Sequence, residues 1–378
     1  LLGENYKVLA LIGDGALTGG LAYEGLSDAG QSGENLVVIL NDNGMSIQKN
    51  VGGIATLLAR NHLRPTYLSF KRAYRKVFEK IPGGRALYHF NHKIKKSIKG
   101  TILPSSFFED MGFTYLGPVD GHDVAYLTKI LRYAVSLKEP VLLHVRTVKG
   151  KGFAPAERNP DAFHGVSPFH PETGEPKKAS GETFSSVFGR TMVRLARNDP
   201  RICALTAAMV GGTGLDGFAQ TYPGRFFDVG IAEGCAVSMA AGMAKQGTIP
   251  VFAVYSTFLQ RAYDQIVHDV CLQKLPVTFC VDRAGLVGED GATHHGVFDI
   301  AYLRHIPEMT LLAPRDENML RHCLLTATTA GGPCAVRYPR GAGMGVPLDA
   351  ELRLLPSAQG EIMQEGERVA IVAVGNRV

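Results

Sequence analysis

Nowhere in its 378 residues does the chain run 18 apolar residues together, which excludes a membrane-spanning helix of ordinary length. Its six cysteines, Cys203, Cys235, Cys271, Cys280, Cys323 and Cys334, form no C-x-x-C pair and no metal-ligand spacing. Reduced, buried thiols in an intracellular protein are the expectation. No methionine and no basic segment before an apolar core open the sequence at Leu1-Leu2-Gly3, so a secretory signal is not expected and the chain reads as a piece of a longer protein. Acidic residues nearly vanish between Lys71 and Lys99, where Glu79 stands against ten Lys or Arg, with Tyr74, Phe78, Tyr88 and Phe90 interleaved. Such a stretch can bind nucleic acid or lie on an anionic membrane. Its aromatics and Val77 nevertheless fall at helical spacing, and Pro82-Gly83-Gly84 breaks it in two. The expectation is a solvated insertion, with no nucleic-acid and no membrane partner.

What is present is ordinary for a globular protein: 45% hydrophobic, 20% charged, a net charge of +5, and length enough for two full cores. The most informative local feature is Gly13-Asp14-Gly15, followed 26 residues after Gly15 by Asn41-Asp42-Asn43. Apolar runs at 8–12 and 36–40 precede the two clusters, and each reads as a parallel strand buried on both faces. Between them 18–29 has a helical apolar face, with Thr18 available as a cap and Gly30 as the stop. If the strands are near neighbours, Asp14 and Asn43 converge at the carboxyl edge of the sheet. Magnesium takes about six oxygens, few of them from carboxylates. Asp14 and the Asn43 amide oxygen supply two, and flexible glycines let backbone N–H groups approach a phosphate. A sharp turn followed by an Asx-rich turn accounts for the same residues without a ligand.

Composition shifts divide the chain. Pro168, Pro171, Gly174 and Pro176 mark 166–180 as an extended linker. A second α/β block at 181–345 opens with an amphipathic stretch at 183–197. Strands are expected at 202–205, 251–254, 277–281, 310–312 and 334–336. A further linker covers 346–360, and the strand-like run at 369–374 begins a third unit within 361–378. In the second block Glu233 ends a short strand and starts a small-residue helix, where a carboxylate ordinarily serves the helix dipole. Tyr255 and Phe258 suit core packing. Arg283 and Arg340 lie in different strand-end loops and could converge on one phosphate, or pair with acids at the surface.

Seven strings in one order, GDGALTGG, NDNGMSI, GPVDGHD, TVKGKGFAPAE, YSTFLQRAYDQ, DRAGLVGEDGATHHG and RYPRG, carry a resemblance to the 1-deoxy-D-xylulose-5-phosphate synthases, within the transketolase-like thiamine-diphosphate enzymes. The resemblance implies an α/β fold of two doubly wound parallel-sheet domains of transketolase type, residues 1–165 forming the C-terminal portion of the diphosphate-binding domain. A variable insertion is implied at about 54–108, and 181–345 is the pyrimidine-binding domain. It further implies thiamine diphosphate and Mg2+ as cofactors, and pyruvate and D-glyceraldehyde 3-phosphate as substrates. A homodimer, with the cofactor between first and second domains, and a cytoplasmic location, or a plastid stroma for a plant source, are also implied.

Residue by residue, the resemblance gives the metal Asp14, Asn43 and the Met45 carbonyl. Gly15, Ala16 and Phe153 lie beside the cofactor, Phe153 standing where the family usually has tyrosine. Glu233 faces the pyrimidine N1′ and shifts it to its imino form, and Phe258 stacks on that ring. Tyr255 and Arg261 line the substrate pocket, Arg283 and Arg340 bind the phosphate, and His164, His294 and Asp290 are the polar active-site groups. His295 is structural. Two departures stand out. Gly234 and Cys235 replace a glutamine and a histidine beside Glu233, and the family's segment upstream of the GDG strand, with its histidines, is not in this sequence. A different transketolase-like enzyme, a pyruvate-dehydrogenase β-type module or a non-catalytic relative are the alternatives.

Overall fold

The computed structural model describes residues 6–46, 50–60, 104–166, 168–177, 181–288, 290–356, 359 and 361–377. The basic stretch at 71–99 lies outside the described residues. The chain divides into two compact units, Leu1–Val166 and Ser167–Val378.

The first unit is a four-stranded parallel sheet in the order β1-β2-β4-β3, from β1 (Val8–Gly13), β2 (Leu36–Asp42), β3 (Thr114–Asp120) and β4 (Val141–Arg146). Continuous Val and Leu runs make β2 and β4 interior strands buried on both faces. β1 departs from that expectation. Among the described residues it pairs only with β2, and Val8, Leu9 and Leu11 are exposed, Leu11 at 75%. The first helix also differs at both ends. A 3-10 turn (Asp14–Thr18) precedes α1 (Gly20–Ser32), and the Thr18 hydroxyl turns back to the Gly15 carbonyl rather than capping α1. Gly33, at φ 67°, is the left-handed stop. Gly30 lies inside the helix because a Cβ there would stand 1.9 Å from the Met111 carbonyl oxygen, so the glycine serves close packing. Helices α2 (Gly53–Arg60), α3 (Pro104–Asp110) and α4 (Val124–Ser136) follow in order, and α5 (Ala154–Arg158) starts after Phe153.

The second unit opens with α6 (Phe184–Asn198), whose Thr183 and Ser186 form a reciprocal capping box worth about 1 kcal/mol. Six parallel strands follow in the order β6-β5-β7-β8-β10-β9. They are β5 (Ile202–Thr206), β6 (Phe226–Asp228), β7 (Ile249–Tyr255), β8 (Thr278–Asp282), β9 (Thr310–Leu312) and β10 (Cys334–Arg337). Helices α7 (Asp216–Thr221), α8 (Glu233–Lys245), α9 (Asp299–Leu303) and α10 (Glu317–Thr329) complete it. The core joins Phe188, Met192, Phe218, Leu324 and Tyr338 under this sheet. After β7 the chain coils through short helical turns that end in a π-helical turn (Ile266–Cys271), burying Ile266 and Val270.

The expected linkers are more structured than composition suggests. Residues 168–177 fold back on themselves, with Phe169 bridging Pro176 and the Lys177 N–H donating to the Pro168 carbonyl. The stretch after β10 is strapped along α10. Glu317 accepts from the N–H groups of Met344, Gly345 and Val346, His322 pairs with Asp349 at 2.8 Å, and Thr326 accepts from the Leu355 N–H. No strand forms at 369–374, where the valines and Ile371 are exposed. Five of the six thiols are buried, and Cys235 is exposed, against expectation.

Candidate active site

In the first unit the parallel β1–β2 pairing brings the two polar clusters to one edge. Asp14 is buried, and its Oδ2 accepts from the Gly44 N–H at 2.7 Å and from Asn50 Nδ2 at 2.8 Å. Its Oδ1 and the Asn50 Oδ1 are both buried without a hydrogen-bond partner among the described residues. Burial and the neighbouring Asp42 carboxyl raise the Asp14 pKa well above the carboxylate range. Two orphaned oxygens beside a pair of crowded carboxyls suit a hard cation, which would satisfy the one and neutralise the other. Gly15 packs so closely on Ser46 that a Cβ would lie 2.8 Å from that residue's own, and the Ala16 carbonyl accepts from the Gly19 N–H.

The Asn43 side chain is engaged within its own loop. Its Oδ1 accepts from the Met45 N–H at 3.0 Å, an Asx turn that shapes its own loop, and Asn50 is the amide that reaches Asp14. Sequence reasoning missed Asn50 because no motif spans the 36 residues between them. It also missed the groups behind the site. Asp42 Oδ2 lies 2.8 Å from His144 Nε2 and Tyr115 Oη lies 2.6 Å from His144 Nδ1, all three on neighbouring strands. In a neutral imidazole a carboxylate acceptor at Nε2 puts the proton there, and the Tyr115 hydroxyl then donates to Nδ1. Lys149, in the TVKGKG string, donates to the Ser46 carbonyl at 2.6 Å and lies 3.0 Å from His164 Nδ1. Burial lowers both pKa values, and Lys149 lowers that of His164 further. Phe153 packs edge-on against Phe163.

In the second unit Glu233 is the first residue of α8 and is 3% exposed. Burial raises its pKa, while its own backbone N–H and Arg261 oppose the rise. Arg261 Nη1 donates to Glu233 Oε2 at 2.7 Å, so this arginine serves the glutamate in addition to any pocket it lines. Tyr255 and Phe258 stack with centroids 5.7 Å apart, and His294 meets Phe258 edge-on at 5.4 Å. Gly234 and Cys235 bring neither an amide nor an imidazole side chain to this wall. A Cβ on Gly234 would stand 3.1 Å from Gln265 Oε1, a buried oxygen with no partner among the described residues.

Arg283 and Arg340 both approach Asp290. Arg283 lies over the Tyr255 ring, its Cζ 3.7 Å from the centroid, and Nη1 donates to the Gly212 carbonyl at 3.0 Å. Asp290 sits between Arg283 Nε, at 3.5 Å, and Arg340 Nη1, at 3.2 Å. Arg283 Nε and Asp290 Oδ2 are nonetheless buried without hydrogen bonds. His295 Nδ1 accepts from the Val287 N–H and closes the loop. Each unit therefore presents its polar groups at strand carboxyl ends, where parallel sheets gather ligands.

Residues 1–147 match the family model described as 1-deoxy-D-xylulose-5-phosphate synthase, and 181–344 match the transketolase pyrimidine-binding domain. Among curated relatives, the 1-deoxy-D-xylulose-5-phosphate synthase of Pelotomaculum thermopropionicum is 55% identical over 100% of this chain and 60% of its own length. The chain belongs to the 1-deoxy-D-xylulose-5-phosphate synthase family. The synthase of Heliobacterium modesticaldum is 53% identical over 99% of this chain and 58% of its own length, and synthase 1 of Geobacter sulfurreducens is 52% identical over 99% and 59%. The chain thus spans about 60% of the length of the relatives it matches. Solved structures similar to it include a split-gene transketolase in an inactive β4 tetramer, with a TM-score of 0.43 and 30% identity over 49% of this chain and 59% of that one. A Campylobacter jejuni transketolase has a TM-score of 0.41 and 18% identity over 92% and 58%. No helix among the described residues is long and apolar enough to cross a membrane.

Proposed function

We propose that the protein joins pyruvate to D-glyceraldehyde 3-phosphate with loss of CO2, giving 1-deoxy-D-xylulose 5-phosphate, the first step of the non-mevalonate route to isoprenoids. The observation that carries the reading is the pair of arginines gathered around Asp290 in the second unit. Arg283 Nε is a buried donor without an acceptor, and Arg340 approaches the same point from another strand-end loop. A phosphate oxygen would satisfy Arg283 Nε, which Asp290 approaches only to 3.5 Å, and would meet the charge of Arg340 as well.

Thiamine diphosphate, when bound, supplies the electron sink that lets pyruvate lose CO2. Asp14, Asn43, the Met45 carbonyl and Asn50 are proposed to hold its Mg2+, with Gly15 and Ala16 offering backbone to the diphosphate. Glu233 would hold or share a proton at the pyrimidine nitrogen, since burial raises its proton affinity. Phe258 and Tyr255 would wall the ring from water, and Arg261 restrains the glutamate. His164 and His294 would donate to substrate carboxylate or carbonyl oxygens, and Phe153 would supply an apolar contact. Small-molecule substrates, a homodimer and a cytoplasmic setting complete the proposal.

Gly234 and Cys235 favour a second reading, a relative that binds the cofactor without turnover. The full-length protein given thiamine diphosphate, Mg2+, pyruvate and glyceraldehyde 3-phosphate separates the two. Formation of the five-carbon phosphate is the expected result, and cofactor binding without product would overturn the first reading.

A further inference from the structure

Beneath the arginine pair lies a carboxylate that the reaction as proposed does not use. Asp282 is the last residue of β8 and is 0% exposed. Its Oδ2 accepts from the Ser185 hydroxyl at 2.7 Å, and its Oδ1 accepts from the Arg283 N–H at 2.6 Å. Ser185 is the second residue of α6, so the carboxylate also lies near the positive end of a 15-residue helix. Arg283 itself has φ 57°, a left-handed conformation that a non-glycine side chain adopts at a cost. That conformation accompanies the placement of its side chain over Tyr255, with Nη1 on the Gly212 carbonyl. The Asp282 bond to the Arg283 N–H falls at the strained residue itself, and Ser185 ties the carboxylate to a different element.

We propose that Asp282, anchored by Ser185, is a positioning residue that holds Arg283 in the conformation needed to grip a substrate phosphate, and so sets the preference of this site for phosphorylated over unphosphorylated acceptors. The proposal rests on the assignment of Arg283 to phosphate binding. Asp290 and Asp282 then have different places around one guanidinium. Asp290 is partly exposed and shares a face with the incoming anion, whereas Asp282 is sealed and touches the arginine from its backbone side.

Electrostatics and positioning make opposite forecasts for Asp282→Ala. Removing a negative charge 3.6 Å from the Arg283 guanidinium would by itself tighten anion binding. Loss of positioning weakens it. In the full-length protein we expect Asp282→Ala and Ser185→Ala each to weaken inorganic phosphate binding, measured calorimetrically, by about tenfold. The KM for glyceraldehyde 3-phosphate should rise by a similar factor, while kcat/KM for unphosphorylated D-glyceraldehyde and the KM for pyruvate hold steady. Asp282→Asn, which still accepts from Arg283 N–H and can donate to Ser185, and Ser185→Thr, which keeps the hydroxyl, should restore phosphate binding. Should Asp282→Ala fail to fold, Ser185→Ala and Ser185→Thr carry the same test. Unchanged or tighter phosphate binding in Ser185→Ala, or equal losses with both aldehydes, would overturn the inference. A wild-type protein that binds phosphate but makes no product would sink the proposed reaction alone, and the phosphate titrations would still decide the role of Asp282.

Discussion

Glu233 begins α8 with one oxygen 2.7 Å from Arg261, and this pairing refines what the residue can do. The carboxylate is buried enough to favour its proton, and the guanidinium restrains that tendency. Glu233→Gln should lower kcat by roughly 100-fold or more, the scale of a lost proton-transfer group, with thiamine-diphosphate affinity little changed. Arg261→Met should raise the pKa of Glu233 and move the acidic limb of the pH–rate profile to higher pH. A profile that stays in place would show that the pair is not electrostatically coupled. Asp282 offers a stability test on a different carboxyl. Burial pushes its pKa up to about 6, with Arg283, Ser185 and the Arg283 N–H opposing. A carboxyl raised on folding binds its proton more tightly when folded, so its contribution is full below about 4 and is lost as pH climbs through about 6. Relative to Asp282→Asn, the native protein should lose on the order of 3 kcal/mol in denaturant unfolding between pH 4 and 7. Asp14, Glu233, Arg283 and Arg340 were legible as residues of interest because each stands in a motif at a strand end. Asn50, His144 and Ser185 were not, and Asp42 and Asp282, though inside such strings, had no role assigned, since their partners lie on other strands or far along the chain.

At the level of elements, periodicity placed the second unit's strands and the start of α6 within a few residues, while glycine and proline misled in informative ways. Gly30 looked like a helix stop and is instead a contact surface for the Met111 carbonyl. Gly30→Ala should destabilise the first unit by about 1–3 kcal/mol, an overpacking cost measurable as a lower denaturant midpoint. The stretch at 346–360 reads as a linker, yet Glu317 fastens its start to α10 through the backbone N–H groups of Met344, Gly345 and Val346. Burial pushes the Glu317 carboxyl up, but its own backbone N–H and those three donors bring it below the ordinary range. Glu317→Ala should free the strap, and limited trypsin digestion should then cut after Arg353 much faster than in the native protein. Equal cleavage rates would mean that His322, Thr326 and their partners hold the strap unaided. Composition cannot show such fastening, because the donors are backbone groups and the acceptor lies 27–29 residues away.

At the scale of the molecule, two parallel sheets each present a polar edge, the first suited to a cation and diphosphate and the second to an aromatic ring and a phosphate. Magnesium with thiamine diphosphate at about 100 times its Kd should stabilise the protein by about 2.7 kcal/mol. Amide exchange should slow at 13–18 and 42–46, and Asp14→Ala should abolish both effects. A melting temperature that ignores the pair would sink the assignment of the first edge. Sequence by itself determined the α/β class, the strand-end motifs and the family, because buried parallel strands demand continuous apolar runs and strand-end glycines and acids survive as contiguous strings. It did not determine that Asn50 reaches Asp14 while Asn43 turns on its own loop, or that Glu233 is shared with Arg261. Only tertiary structure decided these, because strand order, side-chain direction and the pairing of buried charges depend on which distant residues are brought together.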